Sequence, residues 1–180
     1  LALAEPAPRL RVALVTYGNR TYDEAEGWVR VETDLTEDLD LVSDRLFALT
    51  SEGGSEFVGR VLGVALSELS WSATNDAVRL LFIAGNEMAD QDRKVSVEAE
   101  VEKANGRNIV VHTVYCGDPD HSDAESWKEI ARLAETEFAS IDHRAGPVVV
   151  ETPFDDELTN LSAEINETYV PLGEEGRERQ

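Results

Sequence analysis

Cys116, His121 and Asp123 come closest in this chain to a covalent-catalysis set: a thiol nucleophile, an imidazole to take its proton and a carboxylate to orient the imidazole. Such a set works only where thiol and imidazole meet within hydrogen-bond reach. Cys116 closes an apolar run, where cysteine usually behaves as a small core residue. No further motif supports catalysis, so the chain is read as non-enzymatic. A zinc site from Cys116, His112 and His121 lacks the closely paired ligands zinc requires; His112 reads as a strand histidine and His143 as a loop residue. Asn19-Arg20-Thr21, Asn160-Leu161-Ser162 and Asn166-Glu167-Thr168 match the glycosylation pattern, which carries weight only in a secretory context. The most informative stretch is residues 77–88, AVRLLFIAGNEM. It reads as a strand buried on both faces. Its end places Ala84-Gly85-Asn86-Glu87 where open α/β sheets bind ligands.

The elements around that stretch follow from periodicity. Residues 10–17 (LRVALVTY) form a strand ending at Gly18-Asn19, and residues 28–33 (WVRVET) alternate as an edge strand would, which predicts an antiparallel hairpin. Thr36 is expected to cap a helix whose buried stripe is Leu39, Val42, Leu46 and Leu49. Thr50 to Glu56 form a loop around Gly53 and Gly54, followed by a helix over 57–69. Gly59 and Gly63 on that helix predict close approach to a sheet. A charged surface helix over 93–105 and a buried strand over 108–115 (NIVVHTVY) come next. Ser122-Asp123-Ala124-Glu125 reads as a capping box for a helix through Trp127 and Ile130. Residues 138–141 and 148–150 read as short strands, Thr152-Pro153 opens a last helix through Leu158, Leu161 and Ile165, and residues 173–180 form a charged tail. This alternation predicts an α/β fold, doubly wound, with a mainly parallel sheet, one antiparallel edge strand and helices on both faces.

At 180 residues the chain fits one domain with a full core. Its net charge of −21 repels phosphate backbones and anionic lipid, which argues against nucleic-acid and membrane-surface roles. The charge itself reads as a solvated surface, adaptation to high salt, or cation binding at clustered carboxylates. One cysteine allows no internal disulfide, and no apolar run nears the roughly 18 residues of a membrane span. Leu1-Ala2-Leu3-Ala4-Glu5 reads either as a signal-peptide remnant or as the last turn of a helix.

Taken in order, RVALVTYGNR, DLTEDLDLVSDRLFAL, GGSEFVGRVLGVAL, VRLLFIAGNE, NIVVHTVYCG and WKEIARLAETEFASID resemble the von Willebrand factor A domain over residues 10–142. TPFDDELTNLSAEINETYVPLG resembles an extension found in a bacterial branch of that family. The resemblance divides the chain into the end of a preceding helix or linker (1–9), the α/β domain (10–151), a helical extension (152–172) and a tail (173–180). It implies a Rossmann-like interaction and adhesion domain, periplasmic or extracellular. Such a domain binds a protein partner whose acidic residue completes a divalent-metal site. The family's Asp-x-Ser-x-Ser strand has no counterpart here, so the resemblance also implies an absent central strand. Its second ligand position falls on Ser55, its third on Asn86, with Glu87 adjacent. The implied ion is Mg²⁺, or Ca²⁺ or Mn²⁺, bound weakly or not at all. The implied partner loops carry Gly18, Gly53, Gly54, Ser55, Glu56, Gly85, Asn86, Glu87, Gly117 and Asp118. The plainer alternatives stay open: Ser55 and Glu56 as helix caps, Asn86 and Glu87 as turn residues, or an assembly subunit that associates through helix faces or sheet edges, including self-association.

Overall fold

The computed structural model describes residues 9–142, together with 159–161 and 164. The chain divides into two compact units, 1–144 and 145–180. In the second, residues 159–161 and 164 are helical. The expectations for Leu1 to Glu5, His143, Val148 to Val150, Thr152-Pro153 and the charged tail lie outside the described residues.

The first unit runs β1 (Val12–Tyr17), β2 (Val29–Thr36), α1 (Leu39–Phe47), α2 (Val58–Glu68), β3 (Leu80–Gly85), α3 (Val97–Gly106), β4 (Val110–Tyr115), α4 (Ala124–Leu133) and β5 (Phe138–Ser140). The order is that of a mixed α/β fold. β3, β4 and β5 form a parallel sheet in that order, with Leu80 opposite Val110 and Gly85 opposite Tyr115. β1 and β2 form a separate antiparallel pair, with Tyr17 opposite Val29. Parallel neighbours need long crossovers, and α3 and α4 supply them. The core lies where α3 and α4 cover one face of the parallel sheet and α2 packs on α3 and the β1–β2 pair: Val58, Leu62, Val101, Ile109, Val111 and Trp127 are all essentially inaccessible. Burying side chains of this size contributes about 1.5–3 kcal/mol each before entropy is counted.

Several local expectations are corrected. β3 is covered on one face only: Ile83 is 4% exposed, whereas Leu80 and Phe82 are 46% and 65% exposed. Phe82 stacks on His112 of β4 with ring centroids 4.9 Å apart, so His112 shares that open face. α1 buries none of its residues, and Leu39 and Leu46 of the expected stripe are about half exposed. Its cap is Asp38, which accepts from the Leu41 amide, because Thr36 still belongs to β2 and pairs with Val12. Gly59 and Gly63 lie not against a sheet but beside the segment leading into α3 and α3 itself: a Cβ at Gly59 would stand 2.6 Å from the Val95 carbonyl oxygen. The Ser122 capping box does not form, since Asp123 is the N-cap and makes no side-chain cap bond. The helix over 97–106 is half core, with Val97, Glu100, Val101 and Ala104 buried.

No ladder joins β1 to β3 among the described residues. Their carboxyl ends are bridged instead by a side chain, the Tyr17 hydroxyl donating to the Ala84 carbonyl at 2.7 Å. Behind that bridge lies a cleft of about 660 Å³, walled by β1 and β3 and reaching Leu62, Ala65 and Trp71.

Candidate functional site

Three of the four glycine-bearing loops meet at the carboxyl ends of β1 and β3. The first is clipped to the second: the Asn19 amide donates to the Thr50 carbonyl at 2.9 Å, the Arg20 guanidinium to the Gly53 carbonyl at 2.7 Å, and Asn19 bridges Gly53. A Cβ at Gly54 would stand 2.9 Å from the Gly18 carbonyl oxygen, so a side chain there would force the loops apart. The third loop is pinned to α4, the Trp127 indole donating to the Glu87 carbonyl at 2.7 Å and the Ala89 amide to Ser126 Oγ at 3.0 Å.

Gly85 is the meeting point. A Cβ added there would lie 2.7 Å from Trp127 Cζ2, 2.7 Å from Tyr17 Oη and 2.9 Å from Glu56 Oε2. Its carbonyl accepts from the Cys116 amide at 2.7 Å, which brings the start of the fourth loop alongside. Gly117 packs on the Tyr115 ring, and Asp118 Oδ1 accepts from the Asp120 amide at 3.0 Å.

Glu56 supplies the electrostatics. Its Oε2 is buried and has no hydrogen-bond partner, the one side-chain oxygen or nitrogen in that state among the described residues. Burial first, and the Glu87 charge second, push its carboxyl up, while the Glu87 and Asn86 amides partly offset them. Cys116 is pushed up by burial and then by Glu56, and Tyr17 by burial, then Glu56, then Cys116. Thiol and phenol are therefore held protonated, the opposite of thiolate activation. Cys116 Sγ contacts the Val114 carbonyl at 4.0 Å, whereas His121 pairs with Asp123 at 3.5 Å, so the two halves of the supposed catalytic set turn to different partners.

Of the residues expected to hold a metal, Asn86 and Glu87 adjoin Glu56, the residue after Ser55. Ser55 is half-buried and caps nothing, since the N-cap of α2 is Phe57 and no side chain closes that turn. Asn86 and Glu87 are exposed, and the Glu87 carboxylate accepts from the Gln91 amide at 2.7 Å. Among the described residues no group of three or more His, Cys, Asp or Glu is placed to hold an ion. A hard divalent cation wants oxygen ligands, several of which water can supply, and of Ser55, Asn86 and Glu87 only Glu87 offers a charged one. Sequence reasoning missed Tyr17 and Trp127. Each is an aromatic residue with a polar tip at a strand end or facing one, which is the signal that marks them.

No family model matches the chain, and no curated protein matches it. Among solved structures it is similar to the SpRpn10 VWA domain, at 15% identity and a TM-score of 0.54, over 73% of this chain and 65% of that one. It is also similar to proximal thread matrix protein 1 of the mussel byssus, at 13% identity and a TM-score of 0.53, over 86% of this chain and 33% of that one. The chain thus spans less than two thirds of either. Identities this low speak to the fold alone. With its parallel three-stranded sheet and crossover helices, the chain has a von Willebrand factor A-like fold.

Proposed function

We propose that this chain is a non-enzymatic protein-interaction domain that engages a protein partner through the loops at the carboxyl ends of its strands. The observation that carries the reading is the convergence of three loops on Gly85 around the orphaned Glu56 oxygen. That oxygen is itself inaccessible, so a partner would meet the exposed Asn86 and Glu87, whose amides hold the Glu56 carboxyl. On this reading Mg²⁺, Ca²⁺ and Mn²⁺ bind weakly or not at all. Nucleic acid and membrane insertion play no part, and the compartment is periplasmic or extracellular.

A photo-crosslinker placed at Asn86, with one at exposed Glu102 on α3 as control, tests the reading in extract of the source cells. A partner trapped from Asn86 alone, and then bound in purified form with an affinity that falls about tenfold in Glu56→Ala, is expected. Equal trapping from both positions would sink it. Affinity that collapses with chelator and in Ser55→Ala would instead restore a metal-bridged mode.

The cleft between β1 and β3 favours a second reading, an assembly subunit that associates through sheet edges. Each of those strands has a ladder on one side only among the described residues, and an unpaired edge is a template for another strand. Self-association that survives chelator but is abolished by Val15→Pro, on the edge of β1, would favour assembly over loop-mediated binding.

A further inference from the structure

A second recess opens between the β1–β2 hairpin loop and the loop after β3, outside the Gly85 cluster. Its volume is about 540 Å³, and its walls include Glu24, Trp28, Phe57, Arg60, Arg93 and Lys94. Trp28 holds a left-handed backbone with φ of 54°, a region in which a bulky residue is rarely found. That conformation lays the indole against Phe57, with ring centroids 5.3 Å apart and planes at 52°. Arg60 lies over the other part of the same aromatic wall, its guanidinium carbon 4.8 Å from the Phe57 centroid, and pairs with buried Asp92 at 2.6 Å. Gly27 makes room for it, since a Cβ there would overlap Arg60 Cδ at 2.1 Å. The result is a rigid aromatic wall with an anchored arginine.

Charge selects the occupant. In a chain of net −21, three of the 16 basic residues line this one recess, against two acids, Glu24 and Asp92. Asp92 is taken by Arg60, and Arg93 and Lys94 are exposed. From these contacts we infer that the recess binds an acidic segment of a partner protein, one bearing an aromatic or large apolar side chain beside its carboxylates. The carboxylates meet Arg93 and Lys94, and the apolar side chain packs on Trp28 and Phe57, the usual division between a rim that steers and an aromatic anchor that holds. This inference rests on the interaction-domain reading for the existence of a partner, but it uses residues that reading does not.

The test uses the full chain and a fluorescein-labelled peptide, Glu-Glu-Glu-Phe-Glu-Glu, read by fluorescence anisotropy at low and high salt. Saturable binding that weakens with salt is expected, with at least a tenfold loss in Arg93→Glu/Lys94→Glu, whose positions are exposed, and in Trp28→Gly, which suits the left-handed backbone. Little effect is expected from Ser55→Ala or Asn86→Ala. Three results would each overturn the inference: no binding, undiminished binding in the charge-reversed variant, or equal binding of the peptide with every Glu replaced by Gln. If Ser55→Ala and Asn86→Ala abolish binding while the recess variants keep it, the inference falls and the interaction-domain reading stands. If the recess variants alone lose the peptide and no partner is trapped at Asn86, the reverse holds.

Discussion

At the scale of single residues, Gly85 and Glu56 carry the sharpest consequences. Gly85→Ala places a methyl against the Trp127 ring, the Tyr17 hydroxyl and the Glu56 carboxylate at once, and two of those three are held by hydrogen bonds of 2.7 Å to neighbouring carbonyls. Little can yield, so a loss of about 1–3 kcal/mol is expected from urea unfolding, in the range for overpacking. An unchanged midpoint would mean that the loops separate more easily than the contacts imply. Glu56 acts through protonation. Its carboxyl is raised in the fold, by burial and then by Glu87, so the native state holds its proton more tightly than the unfolded chain does. The stability linked to this group is fully present below the ordinary carboxylate range and is lost as pH rises through the raised value. Glu56→Gln, which keeps the shape and removes the charge, should therefore have a higher Tm than the wild type at pH 7, and the gap should close on acidification. A gap that widens as pH falls would reverse the assignment.

At the scale of elements, the Arg60–Asp92 pair fastens α2 to the loop after β3, with side chains only 16% and 5% exposed. Burial works against the Asp92 charge, but the Arg60 hydrogen bond, the Lys94 amide and both cations outweigh it and hold the carboxyl below its usual value. That stability is present above the unfolded value and disappears as pH falls through the folded one. Asp92→Ala strands a largely buried guanidinium, and about 3–5 kcal/mol should be lost in denaturant unfolding at pH 7; a loss below about 1 kcal/mol would show that water reaches the pair. The sequence made most elements legible, because β3, β4, α2 and α4 carry runs and spacings that few other structures tolerate. What it left unread depends on neighbours. AVRLLFIAG spells a strand, yet whether Phe82 is covered is decided by what packs on it. The Ser122 box has the right letters, but Asp123 takes up helical angles of −69° and −26°, and a cap needs extended ones. At the candidate site, the glycines mark where the loops lie in the sequence, whereas Tyr17 and Trp127 reach Gly85 by side-chain length, which no local pattern announces; in the second recess, Trp28 depends on a backbone angle that only the preceding Gly27 hints at.

At the scale of the whole molecule, charge dominates. A net −21 on 180 residues, with 37 acids against 16 bases, sets like charges facing one another across most of the surface, and compaction raises that repulsion relative to the open chain. Several ion pairs are exposed, among them Arg9–Glu37, Lys128–Glu125 and Arg132–Glu129. Pairs of that kind contribute about 0–1 kcal/mol each and are themselves screened. Salt thus has two opposed effects, weakening a few local attractions and relieving a general repulsion. The repulsion is the larger sum, because 21 charges remain uncompensated after every cation is paired off. Arg60–Asp92 is buried and escapes most of the screening. Tm should therefore climb as NaCl rises from about 10 mM to about 1 M, over which the screening length shrinks from about 30 Å to about 3 Å. The steepest part should come early, and a neutral osmolyte at matched osmolarity should reproduce little of the rise. A Tm that falls over the same range would show that the paired charges, few as they are, outweigh the unpaired ones.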